Sequence, residues 1–266
     1  MSNKESTNKT ILVAFLLCLV CSIVVAGSVV LLKPTQEVNK ALNLKANILA
    51  AAGLLPESDK AADIEAAFSR IEARIVDLDT GEYVDPEVVG RKTALAYDQR
   101  KASKDPKLSE PLPGEIDIAS IKRRVKYAKV YLVQSEGKLE TIILPISGYG
   151  LWSTLHGFVA LESDANTIVG LGFYEHAETP GLGGEVDNPR WKAIWPGKKL
   201  FDLDAGDDPK IKLLKSSVDP ESKTAQYEVD GLAGATLTSR GVTNLVQFWV
   251  GEHGFQQYLN RLRKEV

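Results

Sequence analysis

The chain has only two cysteines, Cys18 and Cys21, and both fall inside one apolar run. None is left for the rest of the sequence, so a disulfide-stapled fold or a Cys-ligated zinc site is excluded there. Histidine is nearly as scarce. His156, His176 and His253 are the whole set, and their spacing fits no metal motif. A basic surplus is missing too: 32 Lys and Arg stand against 35 Asp and Glu, a net charge of −3. Nucleic acid is therefore not an expected partner. There is no internal repeat and no low-complexity tract. No nucleophile stands beside a base at a telling spacing, so no catalytic residue and no metal ligand is assigned.

Charge is absent altogether from Ile11 to Leu32, a run of 22 residues. As a helix rising about 1.5 Å per residue it would reach roughly 33 Å, against about 30 Å of bilayer core. The rival reading is a cleaved signal peptide, with Ala26-Gly27-Ser28 as a passable cleavage site. The apolar run continues through Val29 to Leu32, beyond a usual signal core of about 7–15 residues. An uncleaved transmembrane anchor is the reading adopted. Lys4 and Lys9 precede the span and Lys33, Lys40 and Lys45 follow it, so flanking charge does not set the orientation. Cys18 and Cys21, three apart, share one helix face and read as small packing residues.

Beyond the anchor, the apolar periodicity predicts a helix over 36–55 ended by Pro56, then a helix over 60–74 capped by Ser58. Ile75 to Val84 reads as a strand. Residues 85–115, polar and marked by Pro86, Pro106, Pro111 and Pro113, read as a long irregular excursion. Two hairpins follow: Val130–Val133 with Leu139–Leu144, and Gly157–Leu161 with Ile168–Tyr174. Ile211–Leu214 and Ala225–Val229 are shorter candidate strands, and 187–195 a short helix. A last helix starts near Ser239, with Val242, Leu245, Val246, Trp249 and Val250 on one face and a break expected at Gly251 and Gly254. Hairpins with helices at the ends give an α+β class: an N-terminal transmembrane helix, then an antiparallel-sheet domain. The expected divisions are a tail over 1–10, the anchor over 11–32, a helical and irregular part over 33–119, and the sheet domain over 120–266.

Three stretches carry chemistry. Asp230-Gly-Leu-Ala-Gly-Ala-Thr-Leu-Thr-Ser239 sets Gly234, Ala235 and Thr236 just ahead of a helix with Thr238 or Ser239 as N-cap. Free amides and the positive end of the helix dipole attract phosphate there, and Arg240 can add charge-assisted bonds. By spacing alone a capped Gly-rich turn fits as well. Gly148-Tyr-Gly-Leu-Trp152 and His176-Ala-Glu-Thr-Pro-Gly-Leu-Gly-Gly184 are loops that join glycine to large apolar residues. Such loops suit a flat cofactor: Leu151, Trp152 and Leu182 for its faces, Glu178 and Thr179 for its polar edge, Gly181 and Gly183 for close backbone approach. As bare turns they need none of this. His176 and the tryptophans read by default as packing residues.

The threonine stretch, together with His-Ala-Glu-Thr-Pro-Gly-Leu-Gly, resembles the FMN-binding domains of bacterial respiratory complexes. The likeness covers roughly 120–255. In that family a threonine hydroxyl is joined to the FMN phosphate, and the matching residue is Thr236, flanked by Gly234, Ala235, Leu237 and Thr238. Position 233 is Ala where many members have Ser. The resemblance implies covalent FMN as an electron-transfer centre, a flavin transferase that reads Asp230, and partner subunits in the same membrane complex. It also implies a bacterial inner-membrane location with the domain on the periplasmic side. Within the family, the single anchor and long insert are most similar to the C subunits of sodium-translocating NADH:quinone reductases. G subunits of ferredoxin-linked Rnf complexes, and a cofactor-free assembly module, are the alternatives.

Overall fold

The structure is a computed structural model that describes residues 6–265. Lys4 and half of the expected tail therefore lie outside the described residues. The chain divides into two units, Met1–Asn43 and Leu44–Val266.

The first unit is formed by the N-terminal part of one continuous helix, α1 (Thr7–Ala51), which runs through Pro34 without stopping. Residues 11–32 are exposed along their whole length, and α1 is long and apolar enough to cross a membrane. The helix ends at Ala51, earlier than the 55 expected, because Gly53 rather than Pro56 stops it. Gly53 is left-handed at φ 68°. Its N–H donates to Ala50 O, and the Leu54 N–H reaches back to Leu49 O at 2.8 Å. That is the Schellman closure, which satisfies two terminal carbonyls.

In the second unit α2 (Ala61–Phe68) comes first, then β1 (Ile71–Asp77), β2 (Tyr83–Val84), α3 (Gln99–Ala102), β3 (Ser109–Pro111) and β4 (Arg123–Val125). The long strands are β5 (Tyr127–Ser135), β6 (Lys138–Tyr149), β7 (Thr154–Glu162) and β8 (Ile168–Glu175). After them come α4 (Pro189–Lys192), β9 (Lys212–Leu213), β10 (Glu228–Val229), α5 (Thr236–Val250) and α6 (Gln256–Glu265). The fold is α+β, as expected.

One six-stranded sheet in the order β2-β1-β5-β6-β7-β8 carries the unit, and all its neighbours are antiparallel. Both expected hairpins are present and longer than expected. The β5–β6 turn places Glu136 at φ 52° and Gly137 at φ 78°, the two positive angles that a tight two-residue hairpin requires. Two differences have one cause. Ile71 to Arg74 opens a strand and is not the end of a helix, because β1 pairs residue by residue with β5 from Ile71↔Val133 to Asp77↔Tyr127. Sheet pairing outweighs local helix preference here. The helix before it is correspondingly short, and Lys60, not Ser58, stands at its N-cap. The sheet thus reaches back across the 119/120 division to take in β1 and β2. The 85–115 excursion is not wholly irregular: it holds single helical turns and β3, which pairs with β4.

Alternation along the strands gives the sheet two apolar faces. One carries Leu132, Ile142, Leu144, Leu155 and Val159, in one core with Val242, Leu245, Val246 and Trp249 of α5. The Trp249 indole N–H fixes that helix to Ser147 O at 2.7 Å. The opposite face presents Tyr131 and Phe158, whose rings meet edge-on at 5.9 Å. Phe68 of α2 meets Tyr131 at 6.3 Å, and the carbonyl of Ala51 lies where a Cβ on Gly170 would stand.

Helix α5 approaches the end of β6 backbone to backbone. A Cβ on Gly241 would lie 2.5 Å from Tyr149 O and 2.9 Å from the Gly150 Cα. Replacing Gly by Ala in a helix ordinarily gains about 1 kcal/mol, but forcing a methyl against rigid backbone costs about 1–3 kcal/mol. Because the obstacle is main chain, the second effect wins. Gly241→Ala is expected to lower the urea midpoint; an unchanged or raised midpoint would contradict this close approach.

Candidate functional site

The three stretches converge on one buried carboxylate. Glu178, in the loop after β8, is only 5% exposed. Its Oε1 accepts the amide N–H groups of Leu151 at 3.1 Å, Trp152 at 3.0 Å and Ser153 at 3.3 Å. Its Oε2 accepts the Thr238 hydroxyl of α5 at 2.7 Å. One side chain therefore ties the Gly148–Trp152 loop, the 176–184 loop and the first turn of α5. Desolvation pushes its carboxyl upward. The Thr238 hydroxyl and the amides of Trp152, Leu151 and Ser153 outweigh that, so it sits below the usual carboxylate range. Glycine makes the cradle fit: a Cβ on Gly183 would stand 2.5 Å from Thr238 Oγ1 and 2.8 Å from Glu178 Oε2, and one on Gly150 would stand 2.6 Å from Oε1.

The root of the 176–184 loop is held as well. The His176 Nδ1 accepts the N–H of Glu178 at 3.2 Å, and Nε2 meets Asp187 Oδ2 at 2.7 Å. Lys192 Nζ lies 3.3 Å from the other oxygen of Asp187. The Ser153 hydroxyl accepts the N–H of Ala177 at 2.7 Å, a second tie between the two loops. Thr179 O receives the amides of Leu182 and Gly184, and Gly181 is left-handed at φ 76° between them. This presents Leu182 at the surface. Its Cδ2 lies 3.0 Å from the place of a Cβ on Gly234, so the Leu182 loop touches the threonine stretch directly.

The threonine stretch folds differently at its end than spacing predicts. Helix α5 starts at Thr236, with Ala235 at the N-cap and no side-chain cap. Thr238 and Ser239 are inside the first turn and buried. The Ser239 hydroxyl accepts the N–H of Leu232 at 2.9 Å and donates to Ala235 O at 3.1 Å, closing the loop ahead of the helix. The first ladder bond is Ser239 N–H to Ala235 O, so the amides of 236–238 precede the ladder, as at any helix start. Asp230 is committed to the fold through Val218 N–H on Oδ1 and the Trp191 indole on its carbonyl.

The residues singled out in the sequence thus fall into two sets. Leu151, Trp152, Thr179, Gly181, Leu182, Gly234, Thr236 and Leu237 are exposed. Glu178, Gly183, Ala235 and Thr238 are buried beneath them. Ser153 and Asp187 join the site without a sequence signal of their own, since each acts through polar contacts to residues that only the fold brings near. A groove of about 420 Å³ lies elsewhere, lined among others by Asp79, Glu110, Arg124 and His253. The Arg124 guanidinium there is already bound to Asp79, Glu110 and His253 O.

The exposed set fits FMN. Thr236 is exposed at a helix start suited to phosphate, and Leu151, Trp152 and Leu182 are exposed apolar side chains on loops that Glu178 ties to the first turn of α5. Among the described residues no cluster of His, Cys, Asp and Glu is placed to hold a metal.

A carboxylate whose folded pKa is depressed contributes stability that is complete above its unfolded pKa, about 4.3 for Glu, and that is lost as pH falls through the folded value. Glu178→Gln is expected to cost about 1.5–3 kcal/mol at pH 7, the range for hydrogen bonds to a charged group. The gap to the parent should narrow in acid. Equal gaps by urea unfolding at pH 7 and near pH 3 would contradict the ionised tie.

Residues 150–251 match the FMN-binding domain family. The chain is 55% identical over 265 residues to the C subunit of the Na(+)-translocating NADH-quinone reductase of Pseudomonas aeruginosa, covering 99% of each. It is 44% identical over 264 residues to the C subunit of the same reductase from Yersinia pestis, covering 98% of this chain and 95% of the relative. The crystal structure of Shewanella oneidensis NqrC matches with a TM-score of 0.75 at 35% identity, covering 85% of this chain and 99% of that one. The crystal structure of the C subunit from Parabacteroides distasonis matches with a TM-score of 0.63 at 26% identity, covering 86% and 96%. With relatives this similar over nearly its whole length, and an FMN-binding domain laid across the Glu178 tie, the chain belongs to the family of C subunits of Na(+)-translocating NADH-quinone reductases, which are multi-subunit oxidoreductases.

Proposed function

We propose that this chain is a membrane-anchored electron carrier that holds FMN by a phosphoester on Thr236. The supporting observation is the exposed Thr236 at the first position of α5, next to Gly234 and the surface Leu182. Attachment replaces the hydroxyl proton of Thr236 by phosphorus as a leaving group departs from an activated flavin donor, a step carried out once by a separate flavin transferase. The accessible surface for that enzyme is Ala233, Gly234, Thr236, Leu237 and Arg240. Asp230 then acts through the loop it holds, in place of the direct reading by the transferase expected from the motif.

Bound FMN supplies the one-electron chemistry. The chain's own residues orient and shield it. Leu151, Trp152 and Leu182 would cover the ring, and Thr179 would meet its polar edge. The first-turn amides of α5 and Arg240 neutralise the phosphate. Glu178, Gly183 and Thr238 lie under this surface, so we assign them to support and not to the ring edge. A covalent link far from the ring prevents loss of the cofactor and leaves the ring electronics to the loops.

In the complex, electrons from NADH pass by way of other subunits and this site toward quinone, and sodium is moved by membrane partners. The span from Ile11 to Leu32 holds no charged residue, and an ion path through a bilayer needs polar groups. The anchor lies in the bacterial inner membrane with the N-terminus in the cytoplasm and the sheet domain on the periplasmic side. A long domain can cross whatever its flanking charge.

Two expected outcomes test this. Thr236→Ala should leave a folded domain but abolish flavin fluorescence in a denaturing gel, whereas the parent band fluoresces; a fluorescent mutant band would move the attachment elsewhere. Leu182→Asp should shift the absorption spectrum of the attached flavin, and an unchanged spectrum would remove the 176–184 loop from the site.

A further inference from the structure

We propose that Glu178 is a positioning residue whose buried negative charge also holds down the reduction potential of the flavin on Thr236. The inference rests on the reading of Thr236 as the attachment point, and goes beyond it by assigning a role to a residue beneath the site.

Geometry carries the proposal. Glu178 bonds the amides of Leu151, Trp152 and Ser153 on one side and Thr238 on the other. Those partners belong to the loops that flank Thr236 and to the turn that carries it. Thr238 is two residues after Thr236, roughly 3 Å further along the helix axis and turned to the other side of the helix. A flavin tethered to Thr236 and laid over Leu151 or Leu182 would rest on the loops whose amides and glycines enclose this carboxylate.

Two electrostatic effects follow with opposite signs. The first-turn amides of α5 favour negative charge nearby. Glu178 disfavours it, and its bonds from Thr238 and three amides keep it ionised. A unit charge buried in low dielectric is screened far less than a surface charge, whose reach is about 10 Å at 0.1 M salt. The helix dipole amounts to about half a charge at its terminus, and part of it is directed at the phosphate. The full charge of Glu178 therefore dominates beneath the ring. Adding an electron unaccompanied by a proton raises the negative charge there, and the carboxylate opposes it.

The groups facing Glu178 are few. From α5 comes the neutral Thr238 hydroxyl, and from the 151–153 loop only amides. On its own loop, the His176 ring accepts Glu178's N–H, with Asp187 and Lys192 beyond. Glu178→Gln is the discriminating change. Its carboxamide oxygen can accept from the loop amides, and its NH₂ can donate to the Thr238 oxygen, so the shape stays while the charge goes. Thr238→Val does the reverse: it removes one positioning bond and keeps the charge.

The experiment is a spectroelectrochemical titration at pH 7 of the full-length chain in detergent, produced with its flavin transferase, as parent, Glu178→Gln and Thr238→Val. The expected result is a midpoint potential clearly more positive in Glu178→Gln and little moved in Thr238→Val. Equal potentials in parent and Glu178→Gln, or an equal rise in both variants, would overturn the role of the charge. A Glu178→Gln chain that does not fold or take up flavin would overturn it too, because the proposal requires the amide to hold the same geometry. A parent chain without flavin would sink the reading of Thr236 itself, and the inference with it.

Discussion

A single carboxylate, accepting three loop amides and one helix hydroxyl, is the constraint on which the site depends. An ionised Glu with its side chain almost out of water is costly unless its oxygens are satisfied. Here the satisfaction comes from two other segments, the 151–153 loop and α5, so the charge can be buried only when both are in place. That makes assembly of the site cooperative. It also explains why glycine stands at 150 and 183, where any Cβ would collide with the carboxylate or with Thr238.

The sheet supplies the rigidity behind this tie. Strands β6, β7 and β8 bring the 148–153 loop and the 176–184 loop to the same end, and α5 lies across the face beneath them, fastened by Trp249 to Ser147. Loops on such a scaffold carry function because the scaffold fixes their ends. His176, Asp187 and Ser153 then fix the root of the 176–184 loop. The result is a set of exposed apolar side chains on loops tied to the helix turn that carries the exposed Thr236, with polar support below them. Such an arrangement suits a carrier that receives and passes electrons while its cofactor stays attached.

Much of this is legible in the residues. Alternation and turn chemistry locate both hairpins, and the charge-free run locates the anchor. The threonine motif and the two Gly-rich loops point to one site by their composition and resemblance. What stays hidden depends on long-range pairing. Ile71 to Arg74 carries helix-compatible periodicity, and only pairing with β5, far along the chain, makes it part of the strand. Gly53 yields to Pro56 as the expected stop, because a left-handed ending needs only one glycine and leaves no other mark. Thr238 reads as a cap or a cofactor contact and Glu178 as a ring-edge contact, because both occur in surface-like, Gly-rich sequence. Their burial follows from meeting each other 60 residues apart, which no local pattern records.

Of several hydroxyls in the same turn, the exposed one at Thr236 is the proposed point of cofactor attachment. Trypsin releases residues 224–240 as a single peptide containing Thr224, Thr236, Thr238 and Ser239. Fragmentation mass spectrometry of that peptide, from cells that produce the transferase, separates these hydroxyls. Attachment at Thr236 requires the added mass of phosphate-linked flavin on that residue alone. An unmodified peptide, or the added mass on Thr238 or Ser239, would contradict it.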